Sequence, residues 1–160
     1  AYFVKQLFEN QFNRTPDLLV RACGRINLIG EHTEYNDGFV LPAAIDRFIF
    51  YALAENGTDT CHFYAADMNE KGSAALHDLK KTELQWLNYL QGIIQQFQLE
   101  GKTVRGVDVV LGGNLPVGSG MSSSAALECG FGWALNRLFD AGFSKSYIAE
   151  LAHHSSNQFM

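Results

Sequence analysis

The stretch GNLPVGSGMSSSAALE, Gly113–Glu128, decides how the fold is interpreted, and it is called the serine-rich loop below. The valine-rich residues 106–113 before it predict a strand, and residues 123–139 predict a helix. A glycine-rich loop between a strand and a helix is a common anion-binding arrangement, because the first N–H groups of the helix lack partners within the helix. The aligned peptide dipoles add positive potential there. The alternative is a tight strand-to-helix turn with a serine cap.

The composition of the loop slightly favours phosphate binding over a purely structural turn. Gly118 and Gly120 let the backbone approach a ligand closely. The consecutive serines Ser122–Ser124 add hydroxyls that can bond phosphate oxygens or ligate a hard cation such as Mg²⁺. The segment is neither a Walker A loop, since the Gly-Lys pair is absent, nor a dinucleotide fingerprint, since the glycine spacing differs.

The rest of the chain predicts an α+β fold, because strands and helices intermix without strict βαβ alternation. The stripe formed by Trp86, Leu90, Ile93, Ile94 and Phe97 makes residues 83–99 the clearest helix. Ser144 is the expected N-cap of the last helix. The predicted helices are residues 2–14, 83–99, 123–139 and 144–158, and the predicted strands are residues 15–23, 48–54, 61–67 and 106–113.

Length and composition restrict the class of protein. The 160 residues, 47% of them hydrophobic, suit a single domain with a real core. The formal net charge of −5 provides no basic surplus for binding nucleic acid. No apolar run reaches membrane-spanning length, so no membrane partner is expected. The cysteines at 23, 61 and 129 are widely spaced, which favours reduced thiols in a cytoplasmic protein.

A second segment, GRINLIGEHTEYNDGFVLP, Gly24–Pro42, is dense in polar side chains and is called the signature segment below. Such groups are costly to bury without hydrogen-bond partners, and a sugar supplies partners because each hydroxyl donates and accepts. The segment therefore predicts a polyol site. Structural alternatives remain open: Arg25 pairs with Glu31 or Glu34, and His32 caps a turn. Turn chemistry is an equal alternative for three further residues, Tyr35, Asn36 and Asp37.

Together, the two segments resemble the galactokinases of the GHMP small-molecule kinase family. The signature segment resembles the galactose signature, and GGNLPVGSGMSSSAALE resembles the phosphate-binding motif. SSNQF, residues 155–159, resembles the family's ENQF-like segments. The resemblance implies that residues 1–160 form a GHMP-kinase N-terminal domain, with a mixed β-sheet packed with helices, and that a C-terminal domain is missing. It also implies ATP-dependent phosphorylation of the anomeric hydroxyl of galactose, giving galactose 1-phosphate.

The resemblance also implies roles for individual residues. Arg25 is the catalytic candidate, because the family's arginine lies beside the reacting oxygen. Ser124 matches the serine that ligates Mg²⁺. The residues that match the family's galactose contacts are Arg25, Glu31, His32 and Glu34, and Tyr35 and Asp37 are further candidates for binding galactose. Candidates for binding the ATP phosphates are Pro116, Gly118, Ser119, Gly120, Met121, Ser122, Ser123, Ser124 and Ala125.

Three positions depart from the family pattern. Glu34 stands where the family usually has aspartate, which moves the carboxylate by about one C–C bond. Cys23 stands where proline is usual, which is expected to loosen the start of the signature segment. Ser156 stands where the family usually has a glutamate that helps hold Mg²⁺, so Mg²⁺ binding should weaken unless another carboxylate substitutes.

The family's catalytic aspartate lies just beyond Phe159, so the 160 residues are interpreted as an N-terminal fragment that does not transfer phosphate efficiently by itself. Two other functions remain open. One is a non-catalytic galactose- and ATP-binding sensor, which the changes at Glu34 and Ser156 would suit. The other is a kinase for a related sugar, such as N-acetylgalactosamine.

Overall fold

The computed structural model describes residues 1–30, 39–115 and 121–159. Its elements, in chain order, are α1 Tyr2–Phe12, β1 Leu18–Ile29, β2 Leu41–Glu55, β3 Thr60–Ala65, β4 Glu70–Ala75, α2 Gln85–Leu99, β5 Val107–Gly113, α3 Ser123–Leu138 and α4 Lys145–Gln158. The expected α+β class is confirmed.

The strands form a five-stranded mixed sheet in the order β1-β2-β5-β3-β4. β3 pairs with β5 in parallel, and the other three pairings are antiparallel. One face of the sheet packs against α1 through Ala52, Ala54 and Val110. The opposite face packs against α2, α3 and α4. β2 is therefore covered on both faces in its second half, which explains why FIFYALA is a continuous apolar run.

Strand boundaries differ from the sequence prediction in the signature segment. β1 continues to Ile29, beyond the predicted residue 23, and β2 begins at Leu41, before the predicted residue 48. Cross-strand pairing explains the extension, since Arg25 pairs with Ala44 and Asn27 with Pro42. The polar side chains at these positions gave no strand pattern, but backbone hydrogen bonding between the neighbouring strands forms one. β4 was not predicted, because EKGSAA lacks the β-branched residues of a typical strand.

Tyr51 of β2 fixes α3 against the sheet. Its buried hydroxyl donates to the carbonyl oxygen of Leu127 at 2.9 Å, and burial raises its pKa well above the usual range. Gly130 permits this approach, because a Cβ there would lie 2.6 Å from Cε2 of Tyr51. The N-terminal end of α3 is thus held by the central part of the sheet.

The helices on that face pack closely as well. The predicted apolar stripe of α2 is buried from Trp86 to Phe97. Ser144 caps α4 as predicted, since its hydroxyl accepts from the backbone N–H of Tyr147 at 3.1 Å. Within the described ranges, no helix combines the length and the apolar character needed to cross a membrane.

Candidate functional site

The described parts of the signature segment are the end of β1 and the start of β2, which pair with each other. Arg25 and Asn27 lie on the last paired part of β1, opposite the first residues of β2. Cys23 lies inside β1, paired with Phe48, and a register irregularity separates it from Arg25. The predicted sugar contacts Glu31, His32, Glu34, Tyr35 and Asp37, together with Asn36, lie outside the described residues.

The serine-rich loop connects β5 to α3, as its sequence predicted. Pro116, Gly118, Ser119 and Gly120 lie outside the described residues, whereas Met121 to Ala125 are described. Ser122 occupies the N-cap with left-handed backbone angles (φ 53°, ψ 46°), and its side chain makes no capping hydrogen bond. Ser122 is therefore not the side-chain cap that the alternative interpretation, a structural turn with a serine cap, requires. The hydroxyls of Ser122, Ser123 and Ser124 remain half-buried at the helix start.

The two segments meet in space, although about 90 residues separate them in the chain. The backbone N–H of Arg25 donates to the carbonyl oxygen of Met121 at 3.1 Å. Gly24 makes this contact possible, since a Cβ at that position would lie 3.0 Å from the same oxygen and 2.4 Å from Cδ1 of Leu115. The end of β1 and the start of α3 therefore share one region of the molecule.

Two cavities flank the first turns of α3. The aromatic cavity, of about 480 Å³, brings Ser123, Ser124 and Leu127 together with Trp86 and Tyr89 of α2. The arginine cavity, of about 420 Å³, lies on the other side of α3 and includes Arg25, Ser122, Ala125, Arg21 and Lys145. Ser123 and Ser124 thus border the aromatic cavity, whereas Ser122 borders the cavity that contains Arg25, the predicted catalytic residue.

The aromatic wall was missed by sequence reasoning, which assigned Trp86 to the helix core. Trp86 is indeed 8% exposed, but it also borders the aromatic cavity. Its indole N–H donates to the carboxylate of Glu70 at 2.6 Å, which fixes the ring. The helical periodicity of α2 could not predict this hydrogen bond, because Glu70 belongs to the unpredicted strand β4 and contacts α2 only in the folded chain.

Glu128 is the second functional candidate that the sequence did not single out. Its side chain is 2% exposed, and its Oε2 accepts a hydrogen bond from the hydroxyl of Ser156 on α4 at 2.6 Å. Burial raises the pKa of Glu128 to about 7, and the bond from Ser156 opposes that rise. Ser156, noted above as a departure from the family pattern, is thus the donor of a hydrogen bond to the Glu128 carboxylate.

The described residues contain no group of three or more His, Cys, Asp or Glu side chains arranged to hold a metal ion. A cation bound to a nucleotide needs fewer protein ligands, because phosphate oxygens supply part of its coordination. The hydroxyl of Ser124 and the carboxylate of Glu128 are oxygen donors of the kind that Mg²⁺ accepts. Both lie on the first two turns of α3.

Comparison with known proteins agrees with this geometry. Residues 6–55 match the galactokinase galactose-binding signature, and residues 88–160 match the N-terminal domain of GHMP kinases. The structure is similar to Lactococcus lactis galactokinase, crystallised with galactose, with 28% identity, a TM-score of 0.88, and coverage of 99% of this chain and 42% of that one.

More distant structures share the fold alone. Mevalonate kinase of Methanococcus jannaschii is 18% identical with a TM-score of 0.76, over 88% of this chain and 46% of that chain. A D-glycero-D-manno-heptose 1-phosphate kinase of Bacteroides thetaiotaomicron is 16% identical with a TM-score of 0.72, over 88% of this chain and 48% of that chain. The present chain thus spans less than half the length of each of these proteins. Its matched segments and its fold make it an N-terminal domain of the GHMP kinase family that carries the galactose-binding signature of the galactokinases.

Proposed function

We propose that this chain is the sugar- and nucleotide-binding part of a kinase that transfers the γ-phosphoryl group of ATP to the anomeric hydroxyl of galactose, giving galactose 1-phosphate. The observation that carries the proposal is the hydrogen bond from Arg25 to Met121, which joins the signature segment to the serine-rich loop. Phosphoryl transfer depends mainly on positioning and charge stabilisation, so a sugar site and a phosphate site must adjoin.

The nucleotide half of the proposal assigns the base to the aromatic cavity and the phosphates to the serine-rich loop. Trp86 and Tyr89 provide flat apolar surface for a nucleobase, and Ser123 and Ser124 border the same cavity. The first N–H groups of α3 and the serine hydroxyls would hold phosphate oxygens. Mg²⁺, when bound, would neutralise part of the phosphate charge, with Ser124 among its ligands.

The sugar half assigns galactose to the end of the β1–β2 hairpin, with the predicted contacts Glu31, His32, Glu34, Tyr35 and Asp37. Arg25 borders the arginine cavity together with Ser122, the residue at the start of α3. A cation in this cavity would stabilise negative charge that develops during transfer. The similarity to a galactokinase crystallised with galactose supports galactose as the sugar.

The test uses the full-length protein that contains this chain. Galactose-dependent release of ADP should depend on Arg25, so Arg25→Ala should abolish transfer while ATP binding, measured by calorimetry, persists. Arg21→Ala is the matched control, since Arg21 borders the same cavity four residues earlier on β1 and should leave transfer largely intact. Ser124→Ala should weaken Mg·ATP binding more than galactose binding.

Other outcomes would redirect the assignment. Binding of galactose and ATP without ADP release would favour the sensor, a function that the departures at Glu34 and Ser156 also suit. Faster turnover of N-acetylgalactosamine than of galactose would favour the related sugar kinase. Loss of ATP binding in Arg25→Ala at unchanged thermal stability would contradict the division of roles between the two cavities.

A further inference from the structure

We infer that Glu70 makes the nucleotide site selective for a base that carries an exocyclic amino group, because it fixes the Trp86 ring and presents a carboxylate beside it. The inference rests on the proposed function, since it requires a nucleobase in the aromatic cavity. It gives a specificity-determining role to β4, a strand at the edge of the sheet that the sequence did not predict.

The first argument is that β4 holds the Trp86 ring at two points. The indole N–H donates to Oε2 of Glu70 at 2.6 Å. Gly72 lies two residues further along β4, so it is on the same face of the sheet as Glu70. A Cβ on Gly72 would lie 2.8 Å from Cδ2 of Leu87 and 3.5 Å from Cη2 of Trp86, so the benzene half of the indole packs against the strand there. The ring is therefore fixed at its nitrogen and at the far end of its benzene half.

The second argument is the chemistry of the cavity wall beside that ring. Among the described residues that line the aromatic cavity, the charged ones are Asp67, Glu70 and Glu83, and all are acidic. An ionised carboxylate only accepts hydrogen bonds, and it has more acceptor positions than one indole N–H can occupy. Glu70 can therefore accept a further hydrogen bond from an amino group on a base that stacks on Trp86. A carbonyl oxygen in the same place would face an acceptor and leave it unpaired.

Glu70 is better placed for this role than the other two carboxylates. Asp67 and Glu83 are exposed, so water competes for their hydrogen bonds. Oδ2 of Asp67 also accepts from the backbone N–H of Gly113 at 2.7 Å, which ties this residue to the end of β5. Glu70 is half-buried and is hydrogen-bonded to the indole itself, which sets its position relative to a stacked base.

The experiment compares the binding of ADP and IDP to the full-length protein by calorimetry in the presence of Mg²⁺. ADP carries an amino group at C6 of the base, whereas IDP carries a carbonyl oxygen there. The unaltered protein should bind ADP with at least about tenfold higher affinity than IDP, because the carbonyl leaves the Glu70 acceptor unpaired.

Glu70→Gln separates selectivity from a purely structural role. Its amide oxygen can still accept from the indole N–H of Trp86, while its NH₂ group replaces the acceptor that faces the base. ADP affinity should therefore fall, and the affinities for ADP and IDP should come within about threefold of each other. Asp67→Asn is the matched control: its amide oxygen can still accept from Gly113, and the preference for ADP should persist. A preference for ADP that persists in Glu70→Gln, or that is also lost in Asp67→Asn, would overturn the inference.

The same measurements separate this inference from the proposed function. Failure of the unaltered protein to bind ADP would refute the nucleotide site, and the inference with it. Normal binding of ADP with equal affinity for IDP would leave the kinase proposal intact and overturn the inference alone. Loss of the preference in Glu83→Gln instead of Glu70→Gln would also overturn it, because selectivity would then belong to the start of α2.

Discussion

Substitution of Gly24 by alanine tests the contact that joins the two functional segments. The added Cβ would lie 3.0 Å from the carbonyl oxygen of Met121, about 0.4 Å inside the ordinary contact range that begins at 3.4 Å. It would also lie 2.4 Å from Cδ1 of Leu115 and 3.2 Å from Cδ1 of Ile45. The two side chains can rotate, but the backbone oxygen must move by a few tenths of an ångström, and this shift weakens its hydrogen bond with Arg25.

The expected loss of stability follows from these contacts. Overpacking costs about 1–3 kcal/mol, and weakening of the backbone hydrogen bond costs at most about 1 kcal/mol. Alanine recovers about 0.5–1 kcal/mol, because it has less backbone freedom than glycine in the unfolded chain. The free energy of unfolding of Gly24→Ala should therefore fall by about 2 kcal/mol, as measured by urea denaturation.

Nucleotide affinity should fall together with stability, because the displaced residue, Met121, belongs to the serine-rich loop, which we propose to bind the nucleotide phosphates. ATP-analogue affinity, measured by calorimetry under conditions where the protein remains folded, should decrease. Gly57→Ala is the matched control: Gly57 has a φ of +72° with no atom within 4 Å of the added Cβ, so it should lose about 1 kcal/mol without affecting nucleotide affinity. Gly24→Ala with wild-type stability and wild-type nucleotide affinity would refute the proposed coupling of the two segments.

Three further predictions concern α3 and α4. The pKa of Glu128 is higher in the folded state than in the unfolded state, so the folded state binds more protons between pH 4.5 and 7. In EDTA, the free energy of unfolding should therefore fall by about 3 kcal/mol as the pH rises over this range. Glu128→Gln should lack this pH dependence in urea titrations at several pH values. Gly92→Ala should destabilise the chain by about 1–2 kcal/mol, since its Cβ would meet the hydroxyl of Ser155, and Ser155→Ala should relieve most of that loss in a double-mutant cycle. Ser144→Ala should cost about 1 kcal/mol in thermal unfolding because it removes the α4 cap, and an unchanged melting temperature would contradict that role.

Local chemistry made much of the fold predictable. The stripe from Trp86 to Phe97 places apolar side chains at helical spacing, and this periodicity survives in the folded chain as the buried face of α2. Ser144 has a side chain suited to its cap, so the start of α4 was also predictable. By contrast, β4 was missed because EKGSAA is a strand only through its pairing with β3, which is a non-local interaction.

The sequence by itself determined the α+β class, the serine-rich connection between β5 and α3, and the segment that matches the galactose-binding signature, because these depend on residue type and short-range spacing. Only the tertiary structure brought Arg25 to Met121, Glu70 to Trp86 and Ser156 to Glu128. Each of these contacts joins residues from different elements, and their meeting depends on strand pairing and helix packing, which local sequence patterns do not specify.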